Sequence, residues 1–139
     1  MTTIYIFDTD HLSLYGRNHP RVINNILVTK AQLTTTAINV EEQLRSRLAQ
    51  VAEAKDGKTK SLAYRLLVDT VMLLSEFTVL QYDEKSNDIY QSLKAQRVRI
   101  GTQDLRIASI VLACDGVLLT RNLQDFEKVP DLKIQNWSI

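Results

Sequence analysis

The stretch "IYIFDTDHLS", Ile4–Ser13, sets an apolar, β-prone run directly against two acids, Asp8 and Asp10. Ile4–Phe7 reads as a buried strand, and a short helix over Leu12–Arg17 follows it, with Gly16 near its end. A strand needs no acids at its exit, and two so close repel. Working outward, the same alternation of strand and helix returns along the whole chain. Pro20 suits the first turn of a helix over about Arg21–Lys30. "QLTTTAI" (Gln32–Ile38) is a second strand, and Asn39 opens a helix to about Lys55. "KDGK" (Lys55–Lys58) breaks that helix, and another runs on to about Glu76, making a helical hairpin. "FTVLQY" (Phe77–Tyr82) is a third strand and Glu84–Gln96 a helix. Gly101 precedes a helix over Thr102–Cys114. "GVLLT" (Gly116–Thr120) is a fourth strand, "LQDFEKV" (Leu123–Val129) a short helix and "LKIQNW" (Leu132–Trp137) a last short strand. Strands alternating with helices predict an α/β fold with a mainly parallel central sheet and helices on both faces.

The length of 139 residues predicts one domain spanning 1–139, with neither repeat nor linker. Net charge is +1, so no global field draws the chain onto nucleic acid or membrane, and a polyanion must be recognised locally. The one cysteine, Cys114, excludes an intramolecular disulfide framework and fits a reducing compartment. No apolar run approaches the roughly 20 residues of a membrane span. Asp8 and Asp10 interrupt anything like a signal-peptide core, so the expected location is cytoplasmic.

In a parallel α/β fold, strand carboxyl ends and helix amino ends share one edge, and ligands bind where the strand order reverses. Asp8 and Asp10 follow the first strand, and Glu41 and Glu42 open the helix after the second. Asp104 lies in the first turn of "TQDLRIASIVLAC", and Asp125 at the start of the short helix after the fourth strand. Four separated segments thus deliver carboxylates to one rim. Each also has a purely structural reading. Asp10 could cap the helix that follows it. Asn39 with Glu42, and Asn122 with Asp125, have capping-box spacing. Any acid in a first helical turn gains roughly 0.3–1 kcal/mol from the helix dipole. Asp104 fits such a reading least, because it shares a mostly apolar helical stripe with Ala108 and Val111.

Clustered acids require a positive partner, since two charges about 4 Å apart interact by roughly 4 kcal/mol at an effective dielectric of about 20. The candidates are Arg106, Arg121 or a divalent cation. A carboxylate set without His or Cys suits hard ions such as Mg²⁺ or Mn²⁺. Such an ion supports phosphodiester hydrolysis by polarising a phosphoryl oxygen and acidifying the attacking water.

"IFDTDHLSLYGR" (Ile6–Arg17), "TTAINVEEQLRSRL" (Thr35–Leu48) and "RIGTQDLRIASIVLACDGVLLTRNLQDFEKVPDLKIQNW" (Arg99–Trp137) resemble the acidic blocks of the PIN domain, and more narrowly VapC-type toxins of bacterial toxin–antitoxin pairs. The resemblance covers essentially the whole chain, and the block from "IGTQDLRIA" through "LLTRNLQDF" to "VPDLKIQNW" is its most specific part. It implies a PIN-like three-layer α/β/α sandwich and a Mg²⁺-dependent endoribonuclease acting on structured RNA such as tRNA or rRNA. It also implies a VapB-like antitoxin as partner, and commonly a homodimer. Carried over by position, Asp8 and Asp104 would be the principal metal ligands. Glu42 and Asp125 would complete the catalytic site, directly or through water. Thr9 would hydrogen-bond at the first acid, with Asn122 as a polar neighbour. The family often has Asn where this chain has Asp10, which leaves Asp10 as an extra site acid or a cap. Helical periodicity from Val40, Leu44, Leu48 and Val51 favours Glu41 as the second acid, whereas the family register favours Glu42.

RNA would be held mainly through its phosphates. Lys94, Arg97 and Arg99 form an acid-free run before the third acidic block, and Arg106 and Arg121 flank the rim; solvated helix faces are the alternative. Arg45 and Arg47 could contact RNA or brace the hairpin. Leu62, Leu66, Leu67, Val71 and Leu74 could line an apolar groove for the antitoxin, or simply be core. Trp137 and Cys114 read as packing residues, and neither His11 nor His19 receives a role. Other readings remain open at this stage. "FDTDHL" nearly matches the nucleophile loop of haloacid-dehalogenase-like phosphatases, but Leu12 stands where Thr or Val is expected. A receiver domain lacks its acid pair and its Lys. A catalytically silent PIN fold that binds RNA or protein is the third.

Overall fold

In the computed structural model, which describes residues 2–139, the opening apolar run becomes strand β1 (Tyr5–Phe7). It is followed by helices α1 (Thr9–Gly16) and α2 (Pro20–Thr29), strand β2 (Thr34–Thr36), and the hairpin of α3 (Ala37–Glu53) and α4 (Gly57–Leu74). Then come β3 (Thr78–Leu80), α5 (Glu84–Ala95), α6 (Thr102–Ala113), β4 (Val117–Leu119), α7 (Leu123–Phe126) and β5 (Lys133–Gln135). Each expected element is present, with the strands trimmed to their central residues. No helix among the described residues is long and apolar enough to cross a membrane.

All strand pairings are parallel, in two ladders: β1–β4–β5 and β2–β3. β2 lies alongside β1, and there the Thr35 hydroxyl donates to the Phe7 carbonyl at 2.7 Å. A buried side chain thus supplies the bond that a continuous ladder would make with backbone. "TTT" can therefore be a wholly buried strand despite its hydroxyls. The expected single sheet is in this respect two parallel ladders side by side.

Side chains alternate across the sheet. Ile6 and Leu118 face a core shared with Tyr90 and Leu93 of α5, Ile107 and Val111 of α6, and Phe126 of α7. Phe7, Val117 and Leu119 face the other way, onto Leu12 and Leu14 of α1, Val22 of α2, Leu74 at the end of α4, and Trp137. Phe7 meets the rings of Phe77 and Trp137 edge-on at 5.4 and 6.0 Å. These two cores make the three layers.

Gly116 lets the chain enter β4 closely against β1. A Cβ there would lie 2.3 Å from Ile6 Cδ1 and 3.0 Å from the Ile4 carbonyl oxygen. Ile6 is fully buried and cannot swing aside. Gly116→Ala is therefore expected to destabilise the fold by about 1–3 kcal/mol through overpacking. A lower urea midpoint at unchanged slope is the readout.

Candidate active site

The strand order reverses at β1 and β4: β2 and β3 continue on one side, β5 on the other. At the carboxyl ends of β1 and β4 opens a cavity of about 140 Å³. It is lined by Asp8, Thr9, Asp10, Asn39, Glu42, Asp104 and Asn122, with Ile107 and Phe126 among its walls. Asp8, Glu42 and Asp104, distant in sequence, therefore share one space.

Local folding places each of them. Asp8 leaves β1 in extended conformation and caps α1, its Oδ1 accepting the His11 amide at 3.3 Å. Asp10 is thus not the cap; it lies in the first turn of α1, and Arg121 reaches its Oδ1 at 3.3 Å. α3 starts earlier than its periodicity predicts, because Thr36 rather than Asn39 caps it, with Thr36 Oγ1 accepting the Asn39 amide at 3.2 Å. The Asn39–Glu42 capping box is accordingly absent, and Glu42 sits beyond the first turn. Asn39, fully buried, instead donates to Thr9 Oγ1 at 3.2 Å while its own carbonyl accepts from Thr36 Oγ1 at 2.7 Å. This tie between α1 and α3 holds Asp8 and Glu42 in register. Its sequence signal was the pair of polar residues Thr36 and Asn39 at a strand-to-helix junction, which fits a simple cap equally well.

The two adjacent glutamates diverge. Glu41 is exposed, pairs with Arg45 and accepts from Gln103 Nε2 at 2.7 Å. Glu42 turns into the cavity. Burial pushes the Glu42 carboxyl above its ordinary value of 4.5, and the charges of Asp104, Asp8 and Glu41 push it further, with Arg45 opposing. Burial likewise raises Asp104 above 3.8, reinforced by Asp125 and Asp8. Asp125 stands at the edge rather than in the cavity lining. Asn122 caps α7 and donates to Asp125 Oδ2 at 3.1 Å, and Lys128 Nζ lies 3.6 Å from Oδ1.

Arg121 is the one expected cation found at the rim, and it engages Asp10. Arg106 is drawn away, stacked over Tyr90 at 5.2 Å and donating to Gln103 Oε1 at 2.8 Å. Lys94 lies over the same ring at 5.6 Å, and Arg47 braces the hairpin by donating to Thr70 Oγ1 at 2.9 Å. Among the described residues, no Lys or Arg stands within ion-pair distance of Asp8, Glu42 or Asp104. Nor do any three His, Cys, Asp or Glu side chains among them stand close enough to close on one metal ion. The donor set is nevertheless all oxygen, at a small polar cavity where burial and neighbouring acids raise the proton affinity of Glu42 and Asp104. That chemistry fits a hard divalent cation.

A parallel α/β sandwich carrying acids at its switch point is the architecture expected of a PIN-type nuclease fold. No family model matches the sequence. Ribonuclease VapC2 of Haemophilus influenzae is 32% identical over 138 residues, covering 96% of this chain and 97% of that protein. The tRNA(fMet)-specific endonuclease VapC of Salmonella typhimurium is 33% identical over 86 residues, or 58% of this chain and 65% of that protein. Among solved structures, VapBC-1 from nontypeable Haemophilus influenzae superposes with a TM-score of 0.73 at 25% identity, covering 99% of this chain and 100% of that one. The chain belongs to the VapC family of toxin–antitoxin ribonucleases. The phosphatase and receiver readings fall with that membership.

Proposed function

We propose that this chain cleaves RNA as a divalent-cation-dependent endoribonuclease, with Mg²⁺ as the working ion and Mn²⁺ as a substitute. The observation that carries the reading is three carboxylates, Asp8, Glu42 and Asp104, around one cavity with no Lys or Arg among the described residues in ion-pair reach. Asp8 and Asp104 are the main ligands in this reading, and Glu42 and Asp125 complete the site directly or through water. When bound, such an ion supplies positive charge to the phosphoryl group and acidifies the attacking water. The chain's own contribution is to hold the acids in place before the ion arrives. Arg121, half-exposed beside Asp10, is placed to exchange its weak surface pairing for an RNA phosphate.

Structured RNA, tRNA or rRNA, is the substrate class, consistent with the tRNA(fMet) specificity in the name of the Salmonella relative. The partner is a VapB-like antitoxin. α4 presents Leu62, Tyr64, Val68, Val71 and Met72 to solvent, whereas Leu74 belongs to the core and Leu66 and Leu67 are half-buried. A groove of about 810 Å³ between α1, α3 and α4 runs beside this face to Asp10 and Arg121. An antitoxin segment lying there would reach the acidic rim. A homodimer is part of the same reading. The test is cleavage of total cellular RNA by purified, antitoxin-free protein with Mg²⁺, with Mn²⁺ and with EDTA. Discrete fragments that vanish in EDTA are expected; equal cleavage in EDTA removes the cation from the proposal.

The raised carboxyls add a pH signature. Between its ordinary and its raised value, such a group binds more protons folded than unfolded, so stability falls as pH rises through that interval. For Glu42 and Asp104 the interval begins at 4.5 and 3.8 and runs upward. The helix-capping Asp56 and Asp83 are lowered by their bonds to Thr59 and Ser86, so their contribution is lost only as pH falls below 3.8. The two effects therefore occupy separate windows. Without cation, the thermal midpoint is expected to decline from about pH 4.5 towards neutrality, and Mg²⁺ should stabilise more at pH 7 than at pH 4.5. Calorimetry across that range, with EDTA and with Mg²⁺, reads both.

A further inference from the structure

His11 is fully buried in α1, one turn after Asp8, and nothing in the mechanism above uses it. Its two ring nitrogens have unlike surroundings. Nε2 accepts the backbone amide of Trp137 at 3.1 Å. A nitrogen that accepts carries no hydrogen, so the Trp137 bond places the ring's hydrogen on Nδ1. Nδ1 is buried with no hydrogen-bond partner, and Asp8 Oδ1 is the acceptor nearest to serving it, at 3.6 Å. That distance is beyond a formed hydrogen bond. A buried donor left without an acceptor is costly, and the acceptor that could relieve it is the Asp8 carboxylate itself.

We propose that His11 is a positioning residue for Asp8: the Trp137 amide selects its Nδ1–H tautomer, and this N–H closes onto Asp8 Oδ1 when Asp8 binds the cation. Oδ1 would then hold two donors from His11, the backbone amide already at 3.3 Å and the ring. Oδ2, on which no donor is seen among the described residues, is left to face the cavity. Outer partners of this kind orient ligand side chains and tune metal affinity. The last segment of the chain thereby acts on the site through one backbone amide. The inference rests on the reading of Asp8 as a ligand.

The test uses the full chain with ¹⁵N-labelled histidine. There are two histidines, and His19 supplies an opposite reference, since its Nδ1 accepts the Val22 amide at 3.4 Å. Two-bond ¹H–¹⁵N spectra should show the Nδ1–H tautomer for His11, and Mg²⁺ should shift its Nδ1 resonance while leaving that of His19 in place. His11→Gln retains an acceptor for Trp137 but loses the donor near Asp8; His11→Asn does the reverse. His11→Gln is expected to raise the Mg²⁺ concentration for half-maximal cleavage about tenfold or more with little change in thermal midpoint. His11→Asn should lower the midpoint and leave that concentration within about threefold of wild type, below the effect of losing an outer partner. An Nε2–H tautomer at His11 overturns the proposal. So does an unmoved resonance in protein that Mg²⁺ stabilises, which leaves the cation site itself standing. Absence of any Mg²⁺ effect on stability, spectrum and cleavage overturns the cation site and the positioning role together.

Discussion

Asp104→Asn is expected to reduce RNA cleavage at least a thousandfold, beyond the roughly 10–100-fold that loss of an outer partner of a metal ligand produces. The fold should survive, and the metal-free variant should melt higher than the parent. The amide is nearly isosteric with the carboxylate, and Asp104 caps nothing, since α6 begins at Gly101 without a side-chain cap. Its carboxyl is held above its ordinary value by burial and by the charges of Asp125 and Asp8. Removing the charge relieves that repulsion and leaves Glu42 with one fewer acid beside it. The variant should therefore also lose part of the decline in thermal midpoint towards neutral pH, and most of the stabilisation by Mg²⁺. A residue kept for chemistry at the expense of stability predicts this pairing of lost activity and gained midpoint. Full cleavage by Asp104→Asn would remove it from the site. A lower midpoint would mean that its carboxylate has a structural partner.

Glu42→Gln against Glu41→Gln is the second large contrast. Glu42→Gln is expected to lower cleavage by on the order of 100-fold, as for a group completing a metal site, while Glu41→Gln stays within about threefold of wild type. Glu41 is spent on an exposed helix pair with Arg45 and a bond from Gln103. Such surface pairs contribute about 0.3–0.5 kcal/mol. Cleavage rates measured side by side at saturating Mg²⁺ decide it, and the reverse order would transfer the role to Glu41.

This second contrast marks where sequence patterning stops being informative. The apolar stripe of Val40, Leu44, Leu48 and Val51 favours Glu41, yet Glu42 is the one that turns inward. The stripe describes how the body of α3 packs, and Leu48 on that stripe is itself exposed. The cavity is made where α3 begins, by the approach of α1 and α6. Helix starts differ from their sequence signals for a related reason. Thr36 and Asn39 both have capping chemistry, and only the extended backbone at Thr36 selects it as the cap. The sequence offers Asp10 as a cap of the first helix, and the extended backbone of Asp8 gives that place to Asp8 instead. Arg106 looked as eligible as Arg121 to neutralise the acids, but the Tyr90 ring claims it.

Short-range order determined the element types: alternation and apolar runs identify strands and helices because each has its own period, and Gly and Pro punctuate them. With strands and helices alternating, parallel pairing follows, and the convergence of Asp8, Glu42 and Asp104 on one edge was already implicit in their positions after strands and at helix starts. Which oxygen, ring nitrogen or guanidinium faces which partner depends on contacts across long sequence separations, where neither periodicity nor propensity acts. The His11–Trp137 bond spans 126 residues and the Arg121–Asp10 pair spans 111. Only the packed chain brings such groups within 3–4 Å of one another, and electrostatic and hydrogen-bond energies are decided at that distance.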